Sequence, residues 1–262
     1  MATVAIIGAG QLGSRHLQSL KMLNIPIDIC VVEPRSDAAE IAMLRWAEGA
    51  EASSSALPPS PRFLNSISQL PGHIDLAIVA TTSRVRFEVI QELFRRTTTR
   101  FLVLEKVLFQ NPEQYEQFAE MTANREVTTY VNCPRRMYGF YQTLRKQFAG
   151  KPITFEVTGG EWGLGCNAIH FLDLFVFLAA DRVGVRLPNT DSASVRITEE
   201  CLDPVIYDAR RNGYVEFCGE ICGELVSNLS ESADSIGHPE RPAQARDRPQ
   251  ARFRIASEHG NA

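Results

Sequence analysis

At 262 residues with 44% apolar content, the chain is too long for one ordinary domain and has enough apolar matter for two small cores. A net charge of −4 leaves no electrostatic footprint for nucleic acid. No stretch reaches the ~18 apolar residues of a membrane span, and the N-terminus reads as a buried strand rather than a signal peptide. Six cysteines (Cys30, Cys133, Cys166, Cys201, Cys218, Cys222) are scattered through apolar segments, which suits free thiols in a reducing cytoplasm. Cys218 and Cys222 have no second pair to match, so no metal site is expected.

In chain order, the first element is an apolar strand over residues 3–8. It ends in Gly8-x-Gly10-x-x-Gly13 and passes at once into a helical pattern over 11–23, carried by Leu12, His16, Leu17, Leu20 and Leu23. Each glycine has a physical task in a phosphate-binding turn. Gly8 allows the tight turn, Gly10 lets the backbone approach a pyrophosphate, and Gly13 lets helix and strand sit close. The N–H groups that open the helix, at Gln11 and Leu12, are then free for the anion. A second apolar run, 27–33, ends in Glu33, twenty residues after Gly13, where a carboxylate can accept from adenosine ribose hydroxyls. The alternative is a generic α/β turn with no ligand; the combined pattern argues against it.

Further strands are expected over 74–80, 100–105 and 127–132, with helices over 37–49, 84–96, 112–124 and 137–148. The Ser/Ala/Pro-rich stretch 51–61 reads as a surface loop. Near-continuous apolar strands alternating with helices predict parallel βαβ units, hence an α/β doubly wound sheet of Rossmann type over 1–132. The pattern then changes. A strand from 151 ends in Gly159 and Gly160, an apolar helix runs to about 180, and β-branched stretches follow at 193–202 and 214–227. That describes a second, shortened α+β domain over 133–228. The last 34 residues, 229–262, hold ten charged residues and three prolines with no surviving apolar period, so they read as disordered.

Candidate chemistry lies at the strand ends, where doubly wound sheets place their ligands. Thr81 and Thr82 end the fourth strand, and Glu105 and Lys106 end the fifth. An ammonium at Lys106 can hydrogen-bond a substrate hydroxyl and handle the proton that accompanies hydride transfer; a solvated lysine is the equal alternative. Asn132 and Arg135 can contact substrate or simply face water. His170 opens an apolar helix, where a core histidine is commoner than a catalyst. Asp173 reads as a helix-face residue.

Together these residues resemble the Gfo/Idh/MocA family, the glucose–fructose oxidoreductase and inositol-dehydrogenase-like enzymes. The likeness covers roughly 3–180 and rests on the glycine turn, Glu33, Glu105-Lys106 and the run His170-Phe-Leu-Asp173. It implies NAD as cofactor, with NADP possible, and cofactor contacts from Gly8, Gly10, Gln11, Leu12, Gly13, Glu33, Thr81, Thr82, Glu105 and Lys106. It also implies Lys106 and His170 as catalytic residues, with Asn132, Arg135, Asn167 and His170 binding a sugar-type substrate. A homo-oligomer formed through the second domain, in the cytoplasm, is expected. Two positions depart from the family pattern. Val107 replaces the usual proline, and Cys166 stands where an aspartate is usual, beside Asn167. Cys166 and the shortened second domain keep open a catalytically weak dinucleotide-binding sensor, and a biliverdin-reductase-like enzyme, which shares this architecture, is a third reading.

Overall fold

The computed structural model describes residues 1–48, 60–149, 151–160, 162–179, 193–199, 205–209, 213–227 and 251–258. The chain divides into two units, Met1–Asn132 and Cys133–Ala262. The predicted loop at 51–61 falls almost wholly outside the described residues. No helix among the described residues is long and apolar enough to cross a membrane.

The first unit is built on six parallel strands: β1 (Ala2–Ile7), β2 (Ile27–Val32), β3 (Arg62–Leu64), β4 (His73–Val79), β5 (Thr98–Leu104) and β6 (Thr128–Val131). Their order, β3-β2-β1-β4-β5-β6, is that of a doubly wound Rossmann sheet. Helices α1 (Gln11–Leu20), α2 (Ser36–Ala47), α3 (Ser83–Arg96) and α4 (Pro112–Ala123) cover it. Side chains alternate across a strand, so β1 feeds two cores. Val4 and Ile6 pack with Leu17, Leu20, Ile29 and Val31 on one face. Ala5 and Ile7 pack with Phe87, Ile90, Leu93 and Phe118 on the other. Burial on both faces is why these strands read as unbroken apolar runs.

The second unit is a mixed sheet in the order β7-β11-β10-β8, with β9 pairing β10. Its strands are β7 (Ile153–Gly160), β8 (Ala193–Glu199), β9 (Val205–Asp208), β10 (Val215–Ser227) and β11 (Ala251–Glu258). Helix α6 (Leu164–Ala179) lies on one face, where Phe175 packs with Leu225, Phe253 and Ile255. Helix α5 (Gly139–Phe148) adds Tyr141 and Leu144 against Leu174, Phe177 and Leu178.

Two expectations need correcting here. Residues 251–258, predicted within a disordered tail, form β11, which pairs in parallel with β7 and antiparallel with β10. Its alternation is genuine. Ala251, Phe253 and Ile255 are buried against α6, while Arg254 on the opposite face lies 2.7 Å from Glu156 and 2.6 Å from Glu220. Charges that looked like disorder are the polar half of a strand. The same ladder, extended by Arg196–Glu224 at 3.3 Å, shows that the sheet face away from α6 is charged. Among the described residues, the homo-oligomer expected through the second domain therefore has no apolar surface to join through on that face.

Candidate functional site

The glycine turn joins β1 to α1. Gly8 has φ +88°, a left-handed conformation that side chains resist. A Cβ on Gly13 would lie 1.8 Å from the Gly8 carbonyl oxygen, whereas one on Gly10 would meet nothing within 4 Å. Gly10 precedes α1 and offers no side-chain cap, so no capping side chain competes for the N–H groups of the first turn. Arg45, from α2, lies beside that turn, donating to Ser14 Oγ at 2.5 Å and Gln11 Oε1 at 2.8 Å. Glu33 follows β2 and is only 7% exposed. Its Oε2 accepts the Ala9 N–H at 2.8 Å, bracing the turn, and its Oε1 accepts the Arg35 N–H at 3.2 Å and Nε at 3.4 Å.

At the ends of β4 and β5 the side chains form a network. Thr82 precedes α3, and Thr81 Oγ1 is buried with no hydrogen-bond partner among the described residues. Glu105 is 3% exposed, and its Oε1 meets His16 Nε2 and Asn132 Nδ2, each at 2.7 Å. Burial pushes the Glu105 carboxyl up. The bonds from His16 and Asn132, with the His16 and Arg86 charges, outweigh burial and hold it below the usual carboxylate range. Arg86, 2% exposed on α3, donates through Nη1 to the carbonyls of Glu105 (2.5 Å), Val107 (2.6 Å) and Leu108 (2.9 Å), and through Nη2 to Thr81 O. Lys106 is half-buried in the midst of these carbonyls.

In the second unit, Arg135 lies 4.1 Å over the Phe171 ring, which meets Trp162 edge-on at 5.2 Å. Asp173 accepts from Arg136 Nε at 2.9 Å and from Arg136 Nη2. Asn167 donates its amide to the Trp162 carbonyl and to Gly163 O at 3.2 Å, so that amide closes the turn entering α6. Buried Glu216 accepts the Cys166 N–H at 3.1 Å near the start of that helix. His170 is half-buried one turn on, and Cys166 is exposed.

The structure thus gathers Gly8, Gly10, Gln11, Leu12, Gly13, Glu33, Thr81, Thr82, Glu105, Lys106 and Asn132 at the carboxyl ends of the first unit's strands and the turns that leave them. Asn167 and His170 sit on α6, and Arg135 lies in the turn Pro134–Met137, over Phe171 of that helix. Sequence reasoning missed His16 as a partner of Glu105, and missed Arg45, Arg86 and Glu216 altogether. Only His16, one turn after the last glycine, carried a usable local signal. The first unit fits a dinucleotide on three observations: the open space at Gly10, the uncapped first turn of α1 and the unsatisfied Thr81 hydroxyl.

The model of the Gfo/Idh/MocA family, described as an oxidoreductase family with an NAD-binding Rossmann fold, matches residues 2–133. Among solved structures, a probable dehydrogenase from Thermotoga maritima is 14% identical with TM-score 0.61, over 97% of this chain and 68% of that one. The WlbA (WbpB) dehydrogenase from Thermus thermophilus, in complex with NAD and alpha-ketoglutarate, is 15% identical with TM-score 0.55, over 98% and 73%. The UDP-N-acetylglucosamine 3-dehydrogenase GnnA from Acidithiobacillus ferrooxidans is 16% identical with TM-score 0.60, over 100% and 71%. At such identities these structures show the fold alone. The chain spans about two thirds of their length, down to 64% for a putative oxidoreductase from Bacteroides fragilis. No curated protein sequence matches it.

Proposed function

The chain belongs to the Gfo/Idh/MocA oxidoreductase family, whose Rossmann fold binds NAD, and on that premise we propose that it moves a hydride between a nicotinamide dinucleotide and a sugar-type alcohol or its ketone. The observation that carries this reading is Lys106, half-buried at the carboxyl end of β5, in the same rank of strand ends as the glycine turn and Thr81. When bound, the dinucleotide supplies the hydride donor or acceptor. The chain's own residues do the rest. The first-turn N–H groups of α1 hold the pyrophosphate, and Glu33 accepts from the ribose. The Lys106 side chain orients the substrate hydroxyl at Nζ, giving a proton as the ammonium or taking one as the amine. The name of the GnnA relative supports a sugar, and the uncapped helix start supports the dinucleotide.

Lys106→Ala should fold and bind NADH yet lose about 100-fold or more in turnover on a sugar panel, the scale of a positioned acid or base. Turnover near wild type would remove Lys106 from the chemistry. His170, proposed as a second proton-handling group, is tested by the companion His170→Ala. A lower melting temperature with unchanged turnover would make it a core residue.

NAD should bind at least about tenfold more tightly than NADP, a difference of about 1.4 kcal/mol. A buried carboxylate at Glu33 repels a 2′-phosphate, and Arg35, the nearby cation, is already bonded to that carboxylate. Calorimetric titration with both cofactors reads this directly, and tighter NADP would overturn the preference. A second reading, a dinucleotide-binding sensor, is favoured by Cys166 at the usual acid position and by the commitment of the Asn167 amide to backbone. Binding without turnover across the panel would select it. Assembly as a homo-oligomer through the second unit remains a proposal; given the charged ladder, light scattering should show it weakening with salt.

A further inference from the structure

Burying a guanidinium is unfavourable unless its donors are satisfied, and an apolar side chain would fill the same space with no such demand. At Arg86 the Nε is buried with no hydrogen-bond partner among the described residues, while Nη1 and Nη2 meet backbone carbonyls, and these are not scattered. Glu105 O lies just before Lys106; Val107 O and Leu108 O lie just after it; Thr81 O lies two residues past the neighbouring strand, β4. Nη1 thus meets the main chain on both sides of Lys106, while Nη2 ties it to Thr81 beside β4. Independently, His16 and Asn132 fix the Glu105 side chain. Lys106 keeps its side-chain torsions but not its backbone freedom.

We infer that Arg86 is the positioning residue for Lys106: its grip on the carbonyls at 105, 107 and 108 aims the lysine ammonium at the nicotinamide end of the bound dinucleotide. This inference rests on the function proposed above. Misplacement by about 1 Å is enough to lose about 100-fold in a reaction that depends on orientation. A lysine at position 86 keeps the charge, but its single, shorter-reaching ammonium cannot hold Thr81 O and the carbonyls around Lys106 at once, so it should loosen the strand end without discharging the site.

The test compares full-length wild-type, Arg86→Lys and Arg86→Gln proteins. It follows trinitrobenzenesulfonate modification of Lys106 by peptide mass spectrometry, with and without saturating NADH, alongside NADH affinity and melting temperature. In the wild type, NADH should slow Lys106 modification by about tenfold or more. In Arg86→Lys, NADH should bind within about threefold of wild type, because the glycine turn is untouched, while shielding of Lys106 falls below about twofold. A merely structural arginine would lower the melting temperature and leave shielding intact. Wild-type shielding in Arg86→Lys would therefore overturn the inference, and so would failure of both variants to fold. Absence of shielding in the wild type would instead refute the placement of Lys106 beside the dinucleotide, and this inference with it.

Discussion

A chain cut after Gln250 should lose the folded second unit while the first unfolds as before. The cut removes β11, which stands between β7 and β10 and is paired to each along most of its length. It also removes Phe253 and Ile255, 3% and 0% exposed, from the core under α6. Fully burying such side chains contributes about 1.5–3 kcal/mol each, so the two alone supply about 3–6 kcal/mol. That is a large part of the ~5–15 kcal/mol by which domains are stable. The chain's two tryptophans divide conveniently: Trp46 lies on α2 and Trp162 just before α6. Denaturant titration followed by fluorescence, with Trp46→Phe isolating the Trp162 signal, should show no cooperative Trp162 transition in the shortened chain. Phe253→Ala in the full chain should move that transition by about 3–5 kcal/mol. A wild-type Trp162 transition in the shortened chain would show that the sheet does not depend on β11.

The contrast between the two units explains what could be read from sequence. In the first, every signal is local. Strands buried on both faces are apolar runs, the turn is three glycines at fixed spacing, and Glu33 follows at the distance the fold dictates. The α/β doubly wound class and its site-bearing strand ends follow from those marks. In the second unit, β11 is a strand through distant partners: its backbone pairs β7 and β10, Phe253 and Ile255 enter the core under α6, and Arg254 meets Glu156, 98 residues away in the chain. Without those partners, arginines among prolines look like a solvated tail. The three-residue β3 and four-residue β9 are too short for any period to register.

The same distinction holds within the site. Arg86 sits among Arg84, Arg95 and Arg96 on a helix that reads as amphipathic, and nothing in its spacing says that this arginine alone turns inward. Its partners are carbonyls, which carry no sequence identity. Glu216 is likewise recognisable only by the close approach of Gly163, Gly165 and the Cys166 N–H around its carboxylate. Asn167 shows the reverse. A polar residue beside an expected acid invites a substrate role, yet its amide is bonded to backbone within the turn. Backbone-directed polar groups are where pattern reading ends, because they answer to the fold and not to neighbouring letters.

The three glycines of the turn should respond to alanine in three different ways, and Gly13→Ala should be the most damaging. Its methyl would stand 1.8 Å from the Gly8 carbonyl oxygen, far inside any contact distance, and 3.3 Å from Ala80 Cβ. Neither neighbour is a flexible side chain, so α1 must lift from β1. Overpacking of this kind costs about 1–3 kcal/mol or more. The lift would also displace the first-turn N–H groups, so both melting temperature and NADH binding should fall, the latter by at least about 100-fold. Gly8→Ala should mainly destabilise, because φ +88° costs a side chain about 1–2 kcal/mol and its methyl would press on Thr81. Gly10→Ala should change the melting temperature least of the three, since its φ of −63° is negative and its methyl meets nothing within 4 Å. Yet that methyl would project into the space a pyrophosphate needs, so NADH affinity should drop by about tenfold or more. Melting curves and fluorescence titration with NADH separate the three outcomes. If Gly10→Ala binds NADH like wild type, the pyrophosphate does not lie on this turn, however well the turn is formed.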